Sequence, residues 1–148
     1  MVYFRTLFSF LIVLVAGKGA SLPAVCAQPA QDYLNRRLEY WQQRLELGDW
    51  KISLVMSPAG GLKPNTLGNI HWDADRRTAV IRVLDAPDYQ MPCSGMLPDM
   101  EVTVVHELVH LELASLPRSA ASRREEEHAV NRITDALLAL ERQDVTVK

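Results

Sequence analysis

The chain has 148 residues, 48% hydrophobic and 23% charged, with 7 glycines, 8 prolines and 2 cysteines. That composition excludes a disordered chain, a collagen-like repeat and a disulfide-stapled miniprotein, and the length suits one small domain. The formal net charge is −2 and the arginines are interleaved with acids, so no nucleic-acid partner is expected.

Behind Arg5, residues 7–16 form an uncharged apolar block. About ten residues are too few to span a bilayer, which needs roughly 20, but they suit the middle of a secretory signal. Val25-Cys26-Ala27 puts small residues where a signal peptidase reads, and a polar stretch opens at Gln28. Residues 1–27 are therefore expected to be a signal peptide and 28–148 a mature domain, secreted or periplasmic, without stable membrane insertion. Removing Arg5 and Lys18 from the 16 basic residues leaves 14 against 18 acidic, a net −4. Cys26 would leave with the leader, so the mature domain is expected to lack an internal disulfide, and Cys93 is assigned no role.

In the mature chain Leu34, Leu38, Trp41 and Leu45 recur at helical spacing, which predicts a helix over 32–47 stopped by Gly48. Residues 50–56 alternate apolar and polar as a strand does, before Ser57-Pro58-Ala59-Gly60-Gly61 breaks the pattern. Two further strands, 67–73 and 78–84, are joined by the hairpin-length stretch 74–77. Residues 85–98 carry three prolines and a glycine and read as a loop. A helix is expected from Pro98 or Asp99 to about Leu116, and a last one from Glu125, with Val130, Ile133, Leu137 and Leu140 turned inward. The order αβββαα predicts an α+β fold, a small mixed or antiparallel three-stranded sheet packed on a central helix.

That helix contains His106-Glu107-Leu108-Val109-His110. Residues four apart on a helix share a face, so both imidazoles can reach one tetrahedral zinc. Glu107, beside that face, is placed to take a proton from an attacking water. The neighbours Val102, Val104, Val105, Leu108, Val109 and Leu111 are apolar nearly all round, so the helix is expected to be buried, where polar side chains need partners. A third ligand is required. The positions three and six residues after His110 are Leu113 and Leu116, so it must come from farther on, and Glu125-Glu126-Glu127-His128 opens the last helix. The inward stripe extrapolates between Glu126 and Glu127. Glu127 is preferred because Asn131, one turn on, could hold a ligating histidine from behind; Glu126 and His128 remain alternatives.

The pattern His106-Glu107-Leu108-Val109-His110 followed by Glu127-His128-Ala129-Val130-Asn131-Arg132-Ile133-Thr134 resembles the short gluzincin-type metallopeptidase domains of bacteria and phages, including the ImmA/IrrE-like group. The likeness covers residues 102–140. It implies a minimal zincin, with a small sheet, an active-site helix and a ligand-bearing helix. In larger gluzincins an Asp stands four residues after the third ligand, where this chain has Asn131.

The expected function is zinc-dependent hydrolysis of a peptide or protein substrate, with one zinc per chain on His106, His110 and Glu127, and Glu107 as general base. A strand such as 79–83 could pair with an extended substrate. His71 reads as a structural or rim residue, and Tyr89 and Arg82 as unselected candidates for stabilising an oxyanion. The competing readings are a non-proteolytic domain with structural zinc and, if the leader is spurious, a cytosolic regulatory protease.

Overall fold

A computed structural model describes residues 22–117, 119 and 122–146, and over them the chain is α+β. Helix α1 (Leu22–Arg44) is followed by strands β1 (Lys51–Ser57), β2 (Gly68–Asp73) and β3 (Thr78–Leu84), then by helices α2 (Cys93–Glu112) and α3 (Arg123–Thr146). Most of the expected leader lies outside the described residues; positions 22–27 form the first turns of α1.

Helix α1 buries Ala30, Leu34, Leu38 and Trp41, the face its periodicity announces. It begins ten residues earlier than expected, and Gly48 does not stop it. Glu46 takes the left-handed conformation instead, φ 54°, a position where a non-glycine residue is uncommon. The Gln42 amide compensates by donating to the carbonyls of Leu47 (3.0 Å) and Trp50 (2.8 Å), tying the turn to the start of β1.

The sheet order is β1-β3-β2, with β3 parallel to β1 and antiparallel to β2. Ala79, Ile81 and Val83 of β3 face the core, opposite Ile52, Leu54 and Met56 on one side and Trp72, Ile70 and Gly68 on the other. His71 pairs with Val80 on the outer face and is exposed. Because β3 is central, both its edges are used, and the idea that residues 79–83 receive a substrate strand is corrected. The open edge near α2 belongs to β2. Its main-chain orientation follows from one bond. The Leu84 N–H donates to the Leu67 carbonyl at 2.8 Å, so 67 and 84 are a hydrogen-bonded pair. Alternation along an antiparallel ladder then turns the N–H and C=O groups of Gly68, Ile70 and Trp72 away from β3.

Helix α2 starts at Cys93, five residues ahead of the expected boundary, and accommodates Pro98 internally. Met96, Met100, Val104, Val105, Leu108, Val109 and Leu111 are buried along it, and each large apolar side chain removed from water stabilises the fold by about 1.5–3 kcal/mol. Cys93 is disulfide-bonded, which corrects the expectation of a lone thiol in a loop.

The inward face of α3 also differs from expectation. Val130, Thr134 and Leu138 are buried, whereas Ile133 and Leu140 are 40% and 55% exposed. A polar clamp explains the phase. Glu101 of α2, itself buried, accepts hydrogen bonds from Arg37 Nε (2.6 Å), Trp41 Nε1 (2.7 Å) and the Tyr33 hydroxyl. Arg37 also reaches Glu141 of α3 at 3.2 Å, and the Tyr40 hydroxyl donates to the same carboxylate. The face of α3 that meets α1 and α2 thus carries Thr134 and Glu141 as well as Val130 and Leu138.

Candidate metal centre

Four-residue spacing on α2 brings the imidazoles of His106 and His110 edge to face, ring centroids 4.8 Å apart, with their Nε2 atoms 3.1 Å from each other. Glu127, from the first turns of α3, completes the group. Its Oε2 is 3.5 Å from His106 Nε2 and its Oε1 is 3.3 Å from His110 Nε2. One donor atom from each of the three residues lies within 4.8 Å of the others. Two imidazole nitrogens and a carboxylate oxygen form a donor set that suits a divalent transition metal such as zinc.

The flanking groups prepare those donors. Glu126 Oε1 lies 3.0 Å from His110 Nδ1. An ionised carboxylate only accepts, so Nδ1 carries the proton and Nε2 presents its lone pair to the cluster. Asn131 stands beside His106 in the wall of the cleft. Burial, then the neighbouring His110, lower the pKa of His106, against the opposing pull of Glu127 and Asn131. The ring is therefore biased to the neutral form that a metal requires.

Glu107 is buried beside the cluster. Desolvation above all, and then the negative charge of Glu127, push its carboxyl up to about 7, while Lys63 pulls the other way. A carboxylate with that pKa is matched to taking and returning a proton near neutral pH. It opens onto a cleft of about 780 Å³ lined by Lys63 and Gly68 from the sheet side, Val102 and Thr103 from α2, and Arg123 and Asn131 from α3.

The structure therefore gathers His106, His110 and Glu127 at one point, with Glu107 adjacent and Glu126 behind His110. It does not bring in His128, which is exposed and absent from the cluster and from the cleft lining. Tyr89 is buried, its hydroxyl on the Asp99 and Thr103 side, and Arg82 lies on the outer face of the sheet. Sequence reasoning missed Lys63, Gly68 and Thr103. Only Gly68 had a signal, since an isolated glycine in a strand marks a close approach of backbone. Comparison of the chain with family profiles, curated proteins and solved structures found no match.

Proposed function

We propose that this protein is a zinc-dependent peptidase of the gluzincin type. The observation that carries the reading is the convergence of His106 Nε2, His110 Nε2 and the Glu127 carboxylate beside a buried glutamate with a pKa near neutrality. Zinc held by these three side chains would supply Lewis acidity, polarising a scissile carbonyl and easing deprotonation of water. Glu107 accepts the proton of the attacking water and returns it to the leaving amine. Glu126 keeps His110 in the tautomer that points Nε2 inward, and Asn131 orients His106.

The peptide nature of the substrate is supported by the edge position of β2 in the wall of the same cleft, where Gly68 and Ile70 turn their main-chain groups away from β3 toward an extended chain. A site for structural zinc alone is supported less well. Such sites are closed by four protein ligands, whereas among the described residues this one joins three beside an open cleft. Metal content of the purified protein by mass spectrometry, together with cleavage of a peptide library by the parent and by Glu107→Gln, tests the reading. A metal-free protein with no hydrolysis of any library member would sink it.

Export is part of the same proposal, supported by the uncharged apolar block 7–16 behind Arg5 and the small residues Val25-Cys26-Ala27 that follow it. Among the described residues no helix is long and apolar enough to cross a membrane. Cell fractionation with N-terminal sequencing and thiol titration checks this, and a cytosolic protein that keeps residues 1–27 would overturn it.

A further inference from the structure

Gly68 opens β2 in the wall of the cleft, yet its φ is not in the left-handed region, so conformational freedom does not account for it. Space does. A Cβ at this position would overlap the methyl Cγ2 of Thr103 and stand only 2.6 Å from the carbonyl oxygen of Arg82, while lying 3.6 Å from Glu107 Oε1. The first residue of β2 is thus wedged between the backbone of β3 and the side chains of α2, and only a residue without a side chain fits. In consequence the backbone of Gly68 runs beside the buried carboxylate of Glu107.

We infer that Gly68 is the positioning residue for peptide binding: by seating β2 against Thr103 it sets the separation between the open edge and Glu107. That separation decides where a peptide paired along the edge presents its carbonyl carbon. The inference rests on the peptidase reading for the nature of the ligand. Any side chain at position 68 drives the start of β2 outward, because the Arg82 carbonyl is backbone and cannot turn aside. The groups of Gly68 and Ile70 move with it, and a misplacement of about 1 Å is enough to lower a rate on the order of 100-fold. Thr103 is the matching half of the contact, its hydroxyl bonded to the Asp99 carbonyl at 3.3 Å and its methyl turned toward Gly68.

The test measures binding of a fluorescein-labelled, uncharged nonapeptide to the metal-free protein, and hydrolysis of that peptide and of a blocked dipeptide by the zinc-loaded protein. Gly68→Ala is expected to keep the parent's circular dichroism and one zinc per chain, yet to bind the nonapeptide at least ten-fold more weakly. Its kcat/KM should fall more on the nonapeptide than on the dipeptide, which is too short to follow the edge. Nonapeptide binding within two-fold of the parent overturns the inference, as does an equal loss on both substrates. Where Gly68→Ala does not fold, Thr103→Ser decides, since it removes the methyl and keeps the hydroxyl: weaker nonapeptide binding at unchanged zinc content supports the role, and unchanged binding overturns it. A parent that binds the nonapeptide, loses binding on Gly68→Ala and hydrolyses nothing leaves the positioning role standing while the hydrolytic reading fails. A parent that does not bind it overturns the positioning role whatever it hydrolyses.

Discussion

The Glu126 carboxylate meets His110 at Nδ1, 3.0 Å away, while Glu127, the next residue on α3, meets the same ring at Nε2, 3.3 Å away. Two successive glutamates thus straddle one imidazole, one holding its proton and the other sharing its lone-pair side.

That division predicts unequal losses. Glu127→Ala should abolish zinc binding and activity, because it deletes a donor. Glu126→Ala should leave one zinc per chain at saturation but weaken affinity about 10–100-fold, the usual effect of losing a carboxylate behind a ligating histidine. Competition with a chelator of known affinity reads both numbers, and the reverse ranking would exchange the two roles.

Each histidine supplies a bond that water replaces poorly, so His106→Ala and His110→Ala should each lose the metal. Elemental analysis of the dialysed proteins is the check. Full occupancy in the double variant would refute the centre.

Glu107→Gln preserves the shape of the side chain and removes its capacity to take a proton. It should therefore retain zinc and fold while peptide cleavage falls by at least 100-fold, within the range general-base removal produces. Cleavage at the parental rate would take Glu107 out of the mechanism.

The clamp among the three helices carries a stability prediction. Arg37→Met leaves the buried Glu101 carboxylate with Tyr33 and Trp41 alone. A fully buried pair broken on one side loses roughly 3–5 kcal/mol, and with Arg37 partly open to solvent the expected loss is about 2 kcal/mol in urea unfolding. A loss below about 0.5 kcal/mol would place the pair with ordinary surface ion pairs.

Two tyrosine–carboxylate contacts of the clamp also set its pH limits. Burial, then the hydrogen bond and charge of Glu101, raise Tyr33 from 10.0 to about 12. A raised pKa makes its contribution complete below pH 10 and lost as the pH climbs through about 12, a step that Tyr33→Phe should remove. At the acid end, slight burial pushes Glu141 up, but the Tyr40 hydroxyl, Arg37 and Arg44 together hold it below its ordinary 4.5. Its contribution is present above pH 4.5 and disappears as the pH falls through the depressed value. Melting temperatures across both ranges, for the parent and Glu141→Gln, measure these steps.

The His106–His110 face and the place of Glu107 beside it were legible along the chain, because four-residue spacing on a helix is local geometry. The buried stripe Leu34, Leu38 and Trp41 and the existence of three strands were legible for the same reason: period and turn chemistry act between near neighbours. Which of Glu126 and Glu127 shares Nε2 is another matter. Adjacent helix residues differ by about 100° in direction, and the rotation of α3 depends on what it packs against. Its phase was misread because hydrophobic periodicity credits Ile133 and Leu140 and gives nothing to Glu141, which makes the contact through polar bonds, or to Thr134, which is buried on the same face. The central place of β3, the open edge of β2 and the fit of Gly68 under Thr103 belong to the tertiary structure alone. They join segments dozens of residues apart, and complementarity of backbone and side-chain shape at that range leaves no period in the sequence to read.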